Sequence, residues 1–352
     1  MSITGSAGQA RHIAVAVLGG AAVLVALAAC DLPLDLGQPT TRALESGAAD
    51  SLAGATSFEM TGSYNDRSVV TGPPSSARGN APIGRVDIDL QLVKPGTEHA
   101  VVTGEVTLEA IVIGDQAYFR GHEFLAQHMG SDPLSQNLVK AAGNAWWKGS
   151  AGNVPRLPNF TDGSGFRATF LGPVVTQRFD HVSVDGTDAV ELSGPRADVF
   201  IAANSPFQVL RVHLKTGVVI DGITDGDFRY GNFNKDFQIS PPSDVIDFSN
   251  LSTLTPIYTV VSVDTSGCGS PCAVSAVVKN LGGLQAAKGP STVTFTMTDS
   301  ASGKVLGGCQ AQVRPDVPFN ATTAVGCTIG NLNGQQANAA IVTATADNPG
   351  RA

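Results

Sequence analysis

Cys30 is the residue whose neighbours most clearly indicate a chemical role. It directly follows Leu27-Ala28-Ala29, and before these lie the apolar stretch Ile13–Ala26 and, ahead of it, the positively charged Arg11. A positive charge, a short apolar run and small residues at a cleavage site are the three parts of a secretory signal peptide. The sequence therefore predicts a signal peptide over residues 1–29 and an exported protein.

A cysteine placed directly after such a site resembles a bacterial lipobox. The resemblance implies that the Cys30 thiol receives a diacylglycerol and that Cys30 becomes the first residue of the mature chain. Two acyl chains, with or without a third such as palmitate, are enough for stable attachment. We therefore expect the protein at the outer face of the cell membrane. A plain secreted protein is the alternative, and a spanning helix is disfavoured because Asp31, Pro33 and Asp35 follow at once where about 20 apolar residues are needed.

The other four cysteines, Cys268, Cys272, Cys309 and Cys327, all lie near the C-terminus. An even number of cysteines in an exported protein indicates disulfides. We favour Cys268–Cys272, across a Gly-Ser-Pro turn, and Cys309–Cys327, between neighbouring strands of a hairpin. A zinc site is the competing interpretation, but the cysteine spacing is unusual for one and no histidine lies in this region.

Other reactive residue types do not assemble into a catalytic or metal-binding motif. His122-Glu123 and His128 are spaced one residue too far apart for a zinc-protease helix, and we expect them in a loop or on the surface. Asp87 and Asp89 share one face of a predicted strand, as solvated carboxylates often do. Asp225-Gly226-Asp227 lacks the rest of a calcium-binding loop, and no G-x-S-x-G motif is present. We therefore expect no enzyme activity, metal or cofactor.

Composition favours β structure, and the chain is acidic. The sequence has 40 Gly and 20 Pro, only 15% charged residues and a formal net charge of −8. Turn-forming residues recur about every ten positions, which is typical of antiparallel sheets. The negative charge argues against nucleic acid as a partner.

The elements that must position these residues fall into two regions. For the first we predict a helix over 42–52, strands over 57–64, 85–92, 105–113 and 116–119, helical structure within 124–142, a surface crossing over 152–165, and further short strands up to 239. Pro241-Pro242 marks a boundary, residues 243–256 are predicted to form a linker, and six β segments follow. The predicted organisation is a signal peptide (1–29), a lipidated tether (30–41), a first domain (42–248) and a β-sandwich (257–352).

The first domain resembles the LppX/LprG-type lipoproteins of actinobacteria. The similar segments are IVIGDQAYFRG (111–121), AWWKG (145–149), VDGTDAVELSG (184–194) and FNKDFQISPPSDVID (233–247). The resemblance implies an α+β domain in a mainly β protein: a curved antiparallel half-barrel, covered by helices, that binds lipid. The Gly/Pro stretch at 152–165 and the second domain depart from that pattern.

The second domain is similar to immunoglobulin-like modules of the FxLYD or CARDB kind. The similar segments are AVSAVVKNLGG (273–283) and TVTFTMTDSASGKVLG (292–307). The resemblance implies a small β-sandwich.

Together these features predict an envelope lipoprotein that binds and carries or presents an acylated lipid or glycolipid. The side chains expected to line its pocket are Val86, Ile88, Leu90, Val106, Leu108, Val112, Phe119, Phe124, Leu138 and Trp146. The same residues could instead form an ordinary core. The alternative function is a non-catalytic structural or adhesive protein whose second domain binds an envelope protein or a glycan. A hydrolase is the weakest hypothesis.

Overall fold

The computed structural model describes residues 38–66, 84–154, 156–330 and 340–351. The described residues from Pro39 onward belong to one compact unit. The predicted signal peptide and Cys30 lie outside the described residues. Among the helices that are described, none is long and apolar enough to cross a membrane.

The first β region is one open sheet of twelve strands. Its neighbouring strands run in the order β12-β6-β5-β4-β3-β2-β1-β11-β10-β9-β8-β7, antiparallel throughout except for the parallel pair β12 and β6. The strands are β1 (Ser57–Asp66), β2 (Arg85–Val93), β3 (Thr97–Thr103), β4 (Thr107–Ile113), β5 (Gln116–Arg120), β6 (Trp146–Ser150), β7 (Gln177–Val184), β8 (Thr187–Ser193), β9 (Ala197–Ala202), β10 (Val209–Leu214), β11 (Ile223–Gly231) and β12 (Val245–Ile246).

Alternation of side chains gives this sheet two different faces. Met60, Leu90, Ala100 and Ala110 are direct partners across β1, β2, β3 and β4, and all four are buried. We call their side of the sheet the inner face. The neighbouring positions carry polar partners such as Asp89 opposite Thr61, and these lie on the outer face.

Within the described residues, four α-helices accompany the sheet: α1 (Thr41–Gly54), α2 (His122–His128), α3 (Pro133–Ala142) and α4 (Pro158–Thr161). Helix α1 begins after Thr40, whose hydroxyl accepts a hydrogen bond from the Ala43 amide at 3.2 Å, as N-cap residues do. Leu44, Ala48 and Leu52 recur at helical spacing, and all three are fully buried in the core against the inner face. The helix predicted over 42–52 is therefore confirmed.

Four phenylalanines complete the core beneath α1. Phe160 of α4 lies 4.7 Å from Phe228 and 5.2 Å from Phe170, measured between ring centroids, and Phe166 lies 5.1 Å from Phe170. Phe170 lies in a π-helical turn, Arg167–Leu171, and Phe166 directly precedes that turn. Tilted contacts at these distances are favourable beyond the area that the rings bury. This cluster fills the inner face over β1 and β8–β11.

The second β region consists of two three-stranded sheets. One has the order β13-β14-β17 and the other β16-β15-β18. The six strands are β13 (Tyr258–Asp264), β14 (Cys272–Asn280), β15 (Thr292–Asp299), β16 (Val305–Gln312), β17 (Thr322–Ile329) and β18 (Ala340–Asp347). Alternate residues of β14 and β15 are buried and form one apolar core between the sheets. The predicted mainly β fold class, with a large antiparallel sheet and a separate small pair of sheets, is confirmed.

Both favoured disulfides are present, Cys268–Cys272 and Cys309–Cys327. The expected placement of the second was wrong. Cys309 lies on β16 and Cys327 on β17, and these strands are consecutive in the chain but belong to different sheets. The bond therefore ties the two sheets together instead of bridging a hairpin within one sheet.

The two β regions meet at a shared apolar cluster. Leu125 of α2 and Val139 of α3 pack with Ile246, Leu254 and Ile257 from the segment that connects the regions. The predicted linker over 243–256 is thus partly built into the fold, since it contains β12 and a 3₁₀ turn, Leu251–Thr253.

Candidate functional site

A cavity of about 460 Å³ lies between the inner face of β2–β4 and the segment 154–162. Small-molecule sites commonly have volumes of roughly 300–1,000 Å³. Its apolar lining comes from both sides: Ile88, Leu90, Leu92, Ala100 and Val112 from the sheet, and Val154, Leu157 and Pro158 from the covering segment.

The cavity exists because the side chains of the inner face become smaller along one row of partners. The row runs from Tyr230 and Met60 through Leu90 to Ala100 and Ala110. Tyr230 and Met60 reach the core under α1, whereas an alanine contributes only a methyl group. Space therefore remains over β3, and the segment 154–162 covers it without filling it.

Four charged side chains also line the cavity: Lys94, Glu98, Arg156 and Asp162. Glu98 is the unusual member, because its partners on the neighbouring strands are the apolar residues Leu92 and Val112. Its Oε1 atom is buried and has no hydrogen-bond partner among the described residues. Burial raises the pKa of the Glu98 carboxyl, and the positive charge of Arg156 opposes that rise.

Lys94 fastens the edge of the cavity to α1. Its ammonium group donates hydrogen bonds to the carbonyl oxygens of Leu52, at 2.6 Å, and Ala53, at 3.1 Å. These carbonyls belong to the last turn of α1, where a cation is favourable. Burial lowers the pKa of Lys94, and the nearby Asp162 carboxylate opposes that change. Two of the three donors of Lys94 are thus engaged with the backbone.

The structure brings three of the ten predicted lining residues to this cavity, namely Ile88, Leu90 and Val112. Val86 packs against the core under α1. Leu108 on β4 and Phe119 on β5 belong to a separate cluster. In that cluster the centroid of the Phe119 ring is 6.1 Å from the centroid of the Trp147 ring.

The other four predicted residues lie away from the cavity lining. Val106 is in the turn between β3 and β4, where its carbonyl accepts a hydrogen bond from the Gly104 amide at 3.1 Å. Phe124 stacks on His128 in α2 at 4.1 Å between centroids, and Leu138 packs in the cluster that joins the two β regions.

Trp146 was predicted to line the pocket, but its side chain lies on the outer face of the sheet. It lies under the Arg120 guanidinium, 4.6 Å from the ring centroid, and Trp147 is the residue whose strand position pairs with Phe119. Successive residues of a strand point to opposite faces. The Trp-Trp pair must therefore place one ring on each side of β6.

Sequence reasoning missed Glu98 and Ala100 because it did not identify strand β3. The only signal was a weak alternation in TEHAVVT (97–103), where Glu98 interrupts the apolar positions. The expectation for 152–165 was also wrong: this Gly/Pro stretch does not merely cross the surface. It supplies the cover of the cavity and the fully buried Phe160.

The other candidate reactive residues are engaged in structural contacts. The Glu109 carboxylate on the outer face accepts from Arg120 Nε at 2.8 Å and lies 2.8 Å from His99 Nε2. His122 and His128 lie on α2 and not in a loop, and the Nδ1 of each is within hydrogen-bond distance of a backbone carbonyl. In the described part of the chain, no three His, Cys, Asp or Glu side chains are grouped so that they could hold a metal.

Comparison with known proteins gives little further information. No protein-family model matches the chain, and no curated protein does. Among solved structures, the chain is similar to one in the "Crystal structure of MucB in complex with MucA(peri)", at 11% identity over 89% of this chain and 100% of that one. The TM-score is 0.25, too low to support any conclusion about function.

Proposed function

We propose that this protein is a cell-envelope lipoprotein that binds the apolar part of a lipid or glycolipid and carries or presents it at the membrane surface. The observation that supports this proposal is the cavity of about 460 Å³ on the inner face, with its predominantly aliphatic lining. The row of shrinking side chains leaves this part of the sheet unfilled, while α1 and the phenylalanines pack over β1 and β8–β11.

The energetics of such a site favour an acyl chain. Each buried CH₂ group contributes about 0.8 kcal/mol, so a chain of about ten carbons would gain about 8 kcal/mol from burial. A gain of about 8 kcal/mol corresponds to a dissociation constant of about 1 μM, and association and ordering costs make the net affinity for such a chain weaker than that. The function requires no catalytic group, and we propose none.

The binding proposal is tested by filling the cavity. Ala100→Leu places a larger side chain in the cavity that Leu90, Val112 and Leu157 also line, whereas Val101→Leu places a leucine on the outer face of the same strand, opposite Asp89. We expect organic extraction and mass spectrometry of protein made in an actinobacterium to yield lipid from the wild type and from Val101→Leu, and severalfold less from Ala100→Leu. Absence of extractable lipid from the wild type would contradict the proposal and favour a structural or adhesive role.

The attachment proposal depends on Cys30 and is tested separately. Without its thiol the chain cannot receive the diacylglycerol, so Cys30→Ser should move the protein from the membrane fraction to the medium. The measurement is immunoblotting of the two fractions, and Cys268→Ser serves as a control at a cysteine that is not expected to carry lipid. Retention of Cys30→Ser in the membrane fraction would show that another feature holds the protein there.

A further inference from the structure

Glu98 is the one cavity-lining side chain with a buried, unpartnered polar atom among the described residues. We propose that the ligand of this cavity is a neutral lipid that carries a hydroxyl group, and that this hydroxyl donates a hydrogen bond to the Glu98 carboxyl. The inference rests on the proposed function, because it names the chemical class of ligand for the same site.

The position of Glu98 supports this assignment. The residue projects from β3 on the inner face, between Leu92 on β2 and Val112 on β4, both of which line the same cavity. No neighbouring donor reaches its Oε1 atom among the residues described. A buried acceptor without a donor is costly, and a ligand hydroxyl held in the cavity would supply the missing donor. Whether ionised or protonated, the carboxyl group keeps an oxygen that can accept this bond.

The charges around the cavity select a neutral donor over a charged one. Lys94 and Arg156 are positive, and Glu98 and Asp162 are negative, so the lining residues that the structure describes carry no net formal charge. A ligand carboxylate would lie next to Glu98 and be repelled by it. A ligand ammonium would face Lys94 and Arg156 within the same cavity. A hydroxyl meets neither penalty, and it is the donor that alcohols, partial glycerides and sugar head groups share.

Two probes of equal size test the proposal directly. Dodecan-1-ol and 1-methoxyundecane have the same number of heavy atoms, but only the alcohol has a hydrogen to donate. Their dissociation constants would be measured by displacement of an apolar fluorescent dye from lipid-stripped wild-type protein. We expect the alcohol to bind at least about tenfold more tightly, which corresponds to about 1.4 kcal/mol. This comparison needs no variant, so it does not depend on any substitution being tolerated.

Variants then assign the preference to Glu98. Glu98→Leu removes the acceptor, and Glu98→Gln introduces an amide N–H that can donate to the ether oxygen. Both should reduce the preference for the alcohol while the ether still binds. Glu59→Leu, on the outer face opposite Gln91, should leave the preference unchanged.

The outcomes separate this inference from the proposed function. Equal affinity of the wild type for the two probes would overturn the hydroxyl assignment and leave lipid binding intact. A preference that persists in Glu98→Leu would also overturn it, because the donor would then be recognised elsewhere. Failure of both probes to bind would contradict the cavity as a lipid site altogether.

Discussion

Glu98 is placed where a carboxyl group is unfavourable for folding. Its side chain is flanked by Leu92 and Val112, and one of its oxygens is buried without a donor. Leucine or valine at this position would continue the apolar inner face of β3. A residue that lowers stability without a structural partner is often part of a binding site, and this is how we interpret Glu98.

The stability cost of Glu98 should depend on pH. Because burial raises the pKa of Glu98 in the folded chain, the folded state holds that proton more tightly than the unfolded state does. The free energy of unfolding therefore falls as pH rises from 4.5, the ordinary pKa of a glutamate carboxyl, through the raised pKa of Glu98 in the folded chain. Glu98→Gln removes this dependence, and we expect it to stabilise the protein at pH 7 by on the order of 1 kcal/mol and by less at pH 4.

Urea denaturation at the two pH values measures this difference. The charges that face Glu98 within the cavity, on Lys94, Arg156 and Asp162, are unchanged by the substitution. The matched control is Glu105→Gln, at an exposed carboxyl, which should show no such change with pH. An equal effect of Glu98→Gln at both pH values would mean that the carboxyl is well solvated.

At the scale of elements, strands β16 and β17 are joined by a covalent link between sheets. Each sheet of the second β region has only three strands, and sheets of this size need packing on one face to be stable. Val293 and Phe295 on β15 and Val274 and Val278 on β14 provide that packing. The Cys309–Cys327 bond adds a constraint on the distance between the sheets.

The two disulfides should therefore differ in their contributions to stability. Cys309–Cys327 spans 18 residues and Cys268–Cys272 spans 4. In the chain-entropy treatment, closing these loops contributes about 3 and about 2 kcal/mol, respectively. We expect the double replacement of Cys309 and Cys327 by Ser to lower the free energy of unfolding more than the same replacement of Cys268 and Cys272. Urea denaturation of both variants makes the comparison, and the reverse order would contradict it.

At the scale of the whole molecule, the two β regions are joined by buried apolar side chains. Leu254 is fully buried and Ile257 is 1% exposed, and they pack with residues of α2 and α3. Near the C-terminus the Arg351 amide donates to the Lys140 carbonyl at 3.0 Å, and its guanidinium forms an ion pair with Asp244. We expect this junction to couple the unfolding of the two β regions.

Leu254→Ala tests the coupling. Truncation of a fully buried leucine costs about 2–5 kcal/mol, and here the loss falls on the contacts that the two regions share. We expect the wild type to unfold in one transition when it is followed by tryptophan fluorescence and by far-UV circular dichroism. The fluorescence comes only from Trp146 and Trp147, both in the first region. In Leu254→Ala the two signals should separate. Leu284→Ala, at a position 58% exposed, is the control, and coincident curves in Leu254→Ala would argue against coupling through this cluster.

The sequence by itself determined the elements whose patterns are local. The alternation in 85–92, the helical spacing in 42–52 and the six C-terminal β segments are each visible within a short stretch of chain, and the structure has all of them. Composition was enough for the mainly β class. The spacing of four cysteines in one region favoured one of three possible pairings, and the structure has that pairing.

Only the tertiary structure decided which residues meet. The cavity depends on β3 lying between β2 and β4, on the small side chain of Ala100, and on the Gly/Pro segment folding back over it. The choice between Trp146 and Trp147, and the disulfide across two sheets, likewise depend on register and on sheet membership. The physical reason is that alternation along a strand only divides its residues between the two faces of the sheet. Which of the two faces encloses a space is determined by the elements that pack against them.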